Sequence, residues 1–156
     1  RTAALAAKGK LGPHLPALAG GDPAAGQSIA LGHPAAQCIR CHSIRGSGGV
    51  LGPDLSEIAA RLTPVQLLES LVDPQATLAE GYGLLVATLN DGSRRTGSLT
   101  KVTPDAYHLQ GPDGQAFTLE RARIGSEVKT SPMPPAASIL TPQELRNLLA
   151  YLVTLR

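Results

Sequence analysis

The sequence predicts a mainly α fold in which a helical core is interrupted by a small antiparallel β insertion. Two capping boxes with proline at the first helical position, Thr63-Pro64-Val65-Gln66 and Thr141-Pro142-Gln143-Glu144, mark the starts of two helices. Between them the hydrophobic pattern changes to a period of two over residues 83–124. Helices therefore bracket the predicted sheet.

The N-terminal part of the chain contains one further predicted helix. Residues 1–21 are rich in Ala, Gly, Leu and Pro, and we interpret them as a linker or terminal extension with a short helix at Thr2–Lys8. Asp22 followed by Pro23 is typical of a helix N-terminus, and Gly32 and Pro34 stop the helix after residues 24–31. Residues 45–52 are glycine-rich, and we expect no regular structure there.

The two capped helices have apolar faces. In the first, Leu67, Leu68, Leu71 and Val72 share one face, and Asp73-Pro74 ends the helix. In the terminal helix, expected over 142–155, leucines recur at helical spacing. We expect the helix at 24–31 to pack across this terminal helix.

The β insertion is predicted from two hairpin turns, Asn90-Asp91-Gly92 and Gly111-Pro112-Asp113-Gly114. The flanking strands are predicted at Leu84–Leu89, Arg94–Leu99, Ala106–Gln110 and Gln115–Leu119. The predicted organisation is a linker or extension (1–21), a discontinuous core (22–82 and 125–156) and an inserted β sub-domain (83–124).

The chemistry of the chain is indicated by Cys38-Ile39-Arg40-Cys41-His42. Cys-x-x-Cys-His is the spacing of covalent haem attachment. Two thiols three positions apart on a helical turn face the same way and can reach two vinyl groups on one haem edge, while the following imidazole reaches the iron. Cys38 and Cys41 are the only cysteines in the chain. We expect one covalently attached haem c.

Three other interpretations of the motif compete with haem. A redox Cys-x-x-Cys needs a βαβ context, which the surrounding pattern lacks. A zinc site needs two more ligands, and no pair among His14, His33 and His108 has ligand spacing. A structural disulfide leaves His42 unexplained.

Two more segments extend the candidate site. A haem-ligating imidazole needs its other ring nitrogen oriented by a carbonyl or carboxylate, and the carbonyl of Pro53, in Gly52-Pro53-Asp54-Leu55, is the candidate. Met133, the only methionine, lies between prolines that keep the backbone stiff. A thioether opposite histidine is an electron-transfer ligand set, so His42 and Met133 are the predicted iron ligands.

Other residues are weaker candidates. His14, His33 and His108 are rival sixth ligands, although each is more often an exposed or hydrogen-bonded histidine. Arginines can pair with haem propionates, and Tyr82 could do the same through its hydroxyl, but a solvated charge is the better interpretation of any one arginine. The arginines in question are Arg45, Arg94, Arg95, Arg121 and Arg123. The expected apolar lining of the haem is Leu51, Leu55, Ile58, Leu62, Leu67 and Leu71.

The order of these motifs resembles class I cytochrome c. More narrowly, the chain is similar to the haem-binding domain at the C-terminus of large membrane-bound dehydrogenases of planctomycetes and verrucomicrobia; one departure is Pro132, where an apolar residue is expected. The resemblance covers residues 21–156 and rests on Gly21-Asp22, Gly26, Gln37–His42, Gly52–Ser56, Leu68–Pro74, Gly81-Tyr82, Asp91-Gly92, Gly97, Ser131–Pro134, Leu145 and Tyr151-Leu152. It implies a class I cytochrome c helical core with the β insertion before the Met loop.

The function expected is outer-sphere electron transfer, without a catalytic residue of its own. The resemblance implies a dehydrogenase domain or subunit as redox partner, and a periplasmic or otherwise exported location, because covalent haem attachment occurs outside the cytoplasm in bacteria. The alternative is an enzyme or gas sensor with an open sixth site. A net charge of +2 does not favour nucleic acid as partner, and no apolar stretch reaches the length of about 20 residues that spans a bilayer.

Overall fold

The computed structural model describes residues 9–76 and 82–156. The chain divides into two compact units, one made of Arg1–Ala76 with Pro134–Arg156 and the other of Thr77–Met133. The helix predicted at Thr2–Lys8 lies outside the described residues.

The prediction of a mainly α fold was wrong. Among the described residues 38% are helical and 25% are in strands, which form a five-stranded antiparallel sheet and a two-stranded sheet. The sequence predicted four strands and missed the strand Ile124–Thr130, in which five of the seven residues are exposed. An exposed edge strand has no alternation of apolar and polar residues, so periodicity does not reveal it.

The first unit contains the helices. They are the 3₁₀ helix Gly9–Leu18, α1 (Pro23–Gly32), α2 (Cys38–Cys41), α3 (Ile58–Arg61), α4 (Pro64–Val72), the 3₁₀ helix Ala136–Ser138 and α5 (Pro142–Leu152). The strands β1 (Ser43–Ile44) and β2 (Ser47–Gly48) form a small hairpin directly after α2, where no regular structure was expected. Gly9–Leu18, inside the predicted linker, packs against α4 and α5 and buries Leu11 and Ala17.

The predicted helix starts are confirmed. The Asp22 side chain accepts the N–H of Ala24, and both capping boxes are complete, Thr63 with Gln66 and Thr141 with Glu144. The terminal helix is shorter than predicted and ends at Leu152.

Helix α1 packs across α5, as the sequence predicted. The approach is close because Gly26 of α1 faces the α5 backbone, and a Cβ at Gly26 would overlap the carbonyl oxygen of Asn147. Beyond the end of α5, Leu155 is fully buried and its carbonyl accepts the N–H of Ala59 at 2.7 Å. The chain end is thereby fixed to α3.

The second unit is the five-stranded sheet. Its strands are β3 (Leu84–Leu89), β4 (Arg94–Val102), β5 (Ala106–Gln110), β6 (Ala116–Glu120) and β7 (Ile124–Thr130), in the order β6-β5-β4-β3-β7. One face forms the core of this unit with Leu85, Ala87, Leu89, Leu99, Tyr107, Leu109 and Leu119. Tyr107 is fully buried and its hydroxyl donates to Glu127 Oε1 at 3.0 Å.

We predict that Gly26→Ala destabilises the protein by about 3 kcal/mol, because the new methyl group forces α1 away from α5. Urea unfolding followed by circular dichroism measures the change. Gly32→Ala is the matched control, because it lies on the same helix and a Cβ there meets nothing within 4 Å. Alanine favours the helix by up to about 1 kcal/mol, so the control should unfold at the same or a higher urea concentration. Equal destabilisation by both variants would contradict the importance of the close approach.

Candidate functional site

The Cys-x-x-Cys-His motif forms the single helical turn α2 and its C-terminal cap. Gln37, immediately before the turn, adopts a left-handed conformation with φ 47°, and the His42 N–H donates to the Cys38 carbonyl at 3.0 Å. Residues three apart on such a turn lie on one face. Cys38 and Cys41 are both free and half-buried. The turn therefore presents two free thiols on the same side.

Burial changes the acid–base behaviour of Cys38. Desolvation raises the pKa of its thiol, and a backbone hydrogen bond only partly opposes the effect. Cys38 is therefore protonated at neutral pH. The attacking cysteine of a redox Cys-x-x-Cys pair needs a lowered pKa instead.

His42 makes the hydrogen bond that the sequence predicted. Its Nδ1 lies 2.7 Å from the Pro53 carbonyl oxygen. A carbonyl only accepts, so Nδ1 carries the proton and donates, and Nε2 keeps its lone pair. This is the tautomer and orientation of a histidine that ligates a metal through Nε2.

The chain can bring Pro53 to His42 only because residue 52 is glycine. A Cβ at Gly52 would lie 2.6 Å from His42 Cε1 and 2.7 Å from Nδ1. The Gly52 N–H donates to the Cys41 carbonyl at 2.8 Å, which holds this segment against the motif. The backbone therefore crosses the edge of the imidazole ring at van der Waals contact.

Two more glycines of the same loop contact the motif. Gly48 has φ +125°, and a Cβ there would overlap the His42 carbonyl oxygen. The Gly49 N–H donates to the Ile39 carbonyl at 2.9 Å. The glycine-rich stretch therefore wraps the motif, a role that its composition did not reveal.

The residues that were predicted to line the haem differ in their burial. Ile58, Leu67 and Leu71 are buried, and Leu55 and Leu62 are half-buried. Leu51, directly before Gly52, is 68% exposed, and its neighbour Val50 is 85% exposed. The loop beside His42 thus holds two large apolar side chains in solvent.

The three histidines that were alternative candidates for the sixth ligand lie in different environments. His33 uses both ring nitrogens: Nδ1 accepts the N–H groups of Ala35 and Ala36 at 3.1 Å, and Nε2 lies 3.0 Å from Glu144 Oε2. His14 is half-buried in the 3₁₀ helix Gly9–Leu18, and His108 lies in β5, with Nδ1 3.3 Å from Thr118 Oγ1. The sequence did not reveal the His33–Glu144 link, which joins residues 111 positions apart.

The candidate propionate partners are mostly in the second unit. Arg95 lies over the Phe117 ring at 4.2 Å and Arg121 over the Tyr107 ring at 4.7 Å, so both have partners within the sheet. Arg94 and Arg123 are exposed and Tyr82 is half-buried. Arg45 is exposed in the first unit, with φ 50°.

Met133 is half-buried in an irregular segment, and its N–H donates to Ser131 Oγ at 3.1 Å. Met133 is the last residue of the second unit. The structure brings together Cys38, Cys41, His42 and Pro53 in the first unit, and Met133 as a ligand stays a prediction.

Residues 9–76 and 82–156 bear on the other interpretations in two ways. They contain no group of three or more His, Cys, Asp or Glu side chains positioned to hold a metal ion. No helix among them has the length and apolarity to cross a membrane. Comparison with protein-family models and with curated proteins finds no match.

The sequence analysis also missed a polar cluster beside Pro53. Asp54 Oδ1 accepts the backbone N–H and the hydroxyl of Ser56 at 2.8 and 2.6 Å, and Ser56 Oγ accepts the N–H of Arg45 at 2.6 Å. Aspartate two residues before serine is the signal of an Asx turn, and this pattern could have revealed the cluster.

We predict that Glu144 contributes to acid stability. The N–H of Thr141 foremost, and then the Thr141 hydroxyl and His33, lower the pKa of the Glu144 carboxyl from its ordinary 4.5. A lowered pKa stabilises the fold above the unfolded-state pKa, and this stabilisation is lost as the pH falls through the folded-state pKa. Glu144→Gln should therefore lose less stability than the wild type between pH 5 and pH 3, as measured by urea unfolding.

The control is Glu57→Gln, at an exposed carboxylate that makes no cap hydrogen bond. It should show the wild-type acid dependence. An equal loss of stability between pH 5 and pH 3 in Glu144→Gln and in the wild type would contradict the role given to Glu144.

Proposed function

We propose that this chain is a monohaem c-type cytochrome, or a domain of one, that transfers electrons through a haem attached to Cys38 and Cys41. The observation that carries the proposal is the pairing of two free thiols on one helical turn with His42, whose Nδ1–H is held by the Pro53 carbonyl. That hydrogen bond leaves Nε2 available as an axial ligand.

The motif residues fit the chemistry of attachment. Cys38 and Cys41 would hold the haem, each through a thioether that would form by addition of its thiol S–H across one vinyl group. The addition neither consumes nor releases electrons, so it needs both cysteines reduced and no further reagent. The free, protonated thiol of Cys38 meets this requirement.

The apolar loop beside His42 also fits a flat apolar ligand. Val50 and Leu51 are large apolar groups in solvent, next to the glycine that touches the imidazole ring. Burying them against a macrocycle removes apolar surface from water at about 25 cal/mol per Å². When bound, the haem supplies an iron that cycles between Fe(III) and Fe(II), and the protein sets its potential through ligands and burial.

Met133 would be the second protein ligand of the iron, on the strength of its sequence context. The flanking Pro132 and Pro134 restrict the backbone of the segment. A thioether ligand opposite histidine raises the reduction potential and leaves no site for substrate.

The competing interpretations of the motif are less well supported. Zinc binding needs two more ligands, and His33, near the motif in sequence, has both nitrogens in hydrogen bonds. A redox dithiol disagrees with the raised pKa of Cys38. The alternative that an experiment must exclude is an open sixth coordination site, which would make the protein an enzyme or a gas sensor.

The proposed partner is a dehydrogenase domain or subunit that donates electrons, in the periplasm or another exported location. This part rests on the resemblance to class I cytochrome c and to the haem-binding domains of membrane-bound dehydrogenases. The chain's own role is outer-sphere transfer, with no substrate at the metal and no catalytic side chain.

Covalent attachment is tested by producing the chain with a bacterial c-type maturation system. We expect haem to stay with the wild-type chain on a denaturing gel. Cys38→Ala and Cys41→Ala should each lose most of the haem stain, because each thiol supplies one of the two bonds. Ser47→Ala, at an exposed position in β2, is the control and should stain fully. A wild-type chain that releases its haem would refute the proposal.

The second axial ligand is tested by Met133→Ala. The variant should keep covalent haem, lose the sulfur-to-iron absorption band, bind carbon monoxide rapidly when reduced, and have a lower reduction potential. Val128→Ala, at a residue 60% exposed in β7, is the control. Rapid carbon monoxide binding by the reduced wild type would favour the open-site alternative, and an unchanged band in Met133→Ala would assign the ligand elsewhere.

A further inference from the structure

The chain on either side of the His42–Pro53 hydrogen bond is cross-linked by two more bonds. The Leu55 N–H donates to the Ser43 carbonyl at 2.8 Å, and the Arg45 N–H donates to Ser56 Oγ at 2.6 Å. Residues 53–56 therefore lie along residues 42–45 as a short ladder. Of these three hydrogen bonds, only the one between the Arg45 N–H and Ser56 Oγ uses a side chain of residues 53–56.

Ser56 uses its hydroxyl in both directions. Oγ accepts the Arg45 N–H and donates to Asp54 Oδ1 at 2.6 Å, and the Ser56 N–H donates to the same oxygen at 2.8 Å. These two bonds to Ser56 lower the pKa of Asp54, so the acceptor stays ionised into acid. The Arg61 guanidinium donates to the Asp54 carbonyl at 2.9 Å and holds the Asp54–Leu55 peptide, which comes directly after the peptide that carries the Pro53 carbonyl.

The residue held by Ser56 has an unusual conformation. Arg45 has φ 50° although it is not glycine. Such a conformation persists only when several surrounding interactions hold the backbone in it, and it occurs most often at functional sites. The Ser56 hydroxyl is the side-chain group that binds the Arg45 N–H.

We propose that Ser56 is a positioning residue for His42: with Asp54 it holds the Pro53 carbonyl against Nδ1 and so fixes the tautomer and direction of the imidazole. Its consequence at the iron rests on the proposed function. A histidine whose Nδ1–H is firmly bonded is the stronger donor, and it favours the ferric state. Loosening the carbonyl therefore raises the reduction potential.

The decisive measurement is the exchange of the His42 Nδ1 proton, followed by ¹⁵N-resolved NMR of the full chain. The sample is the reduced, low-spin form when haem is attached and the haem-free chain otherwise. Ser56→Ala should speed the exchange about tenfold, the effect of losing a hydrogen bond of ordinary strength. Ser56→Thr keeps the hydroxyl and should stay close to the wild-type rate. Ser47→Ala is the control, at an exposed serine of β2.

The double variant Arg45→Gly with Ser56→Ala separates positioning from simple relief of backbone strain. Glycine tolerates φ 50° without help. If Ser56 acts on Pro53 through Asp54, the double variant keeps the fast exchange. Wild-type protection in the double variant would overturn the inference, because Ser56 would then serve only the backbone of Arg45. Asp54→Asn, which removes the charge of the acceptor, should also speed the exchange and replaces Ser56→Ala should that variant not fold.

The haem-bound protein gives a second readout. In Ser56→Ala, the ratio of reduced to oxidised protein at a fixed ambient potential should rise about threefold, a shift of about 30 mV for one electron. Ser56→Thr should restore the wild-type value.

The two hypotheses fail in different ways. If no haem attaches, the proposed function fails, while the exchange measurement still tests Ser56. A wild-type Nδ1 proton that exchanges at the rate of an unfolded peptide, or a Ser56→Ala rate within twofold of wild type, would overturn the positioning role.

Discussion

The hydrogen bond from His42 Nδ1–H to the Pro53 carbonyl is the interaction on which the candidate site depends. It joins two segments that must approach closely, and that approach excludes a side chain at position 52. The backbone bonds from Gly49 to Ile39 and from Gly52 to Cys41 hold the loop in place. The site is therefore built from backbone groups and glycines, and its few side chains are Cys38, Cys41, His42 and the Ser56–Asp54 pair.

A second constraint fixes the frame that carries the motif. Helix α1 leads into the motif, and it crosses α5 at the contact that Gly26 permits. His33, the C-cap of α1, binds Glu144, which also closes the capping box of α5. The same histidine accepts the N–H groups of Ala35 and Ala36 and shapes the four residues before Cys38. The His33 side chain thus connects the contact between α1 and α5 to the residues directly before Cys38.

The features that could be predicted from the sequence are those that local interactions determine. The capping boxes at Thr63 and Thr141, the hairpin turns and the Pro53 carbonyl each follow from a few adjacent residues, and the structure contains them. Strand β7 has no apolar alternation because it is an exposed edge, so the sheet was underestimated and the fold class was wrong. The His33–Glu144 and Arg45–Ser56 hydrogen bonds join residues that lie far apart in the sequence. The periodicity of apolar residues does not predict such pairs, because each depends on individual polar atoms.

His33, five residues before the motif, and His42, its last residue, show that the hydrogen-bond partners of a histidine, rather than the residue type, indicate its role. In His33, Nδ1 accepts from the backbone and Nε2 meets a carboxylate, so neither nitrogen is available to a metal. In His42 a carbonyl forces the opposite tautomer, and Nε2 retains its lone pair. A redox dithiol and a disulfide give no reason for a histidine held in this way directly after Cys41. A zinc site would, but the described residues bring no further ligand to the motif. The haem that we propose would give a reason, and the exposed Val50 and Leu51 would offer apolar surface to its macrocycle.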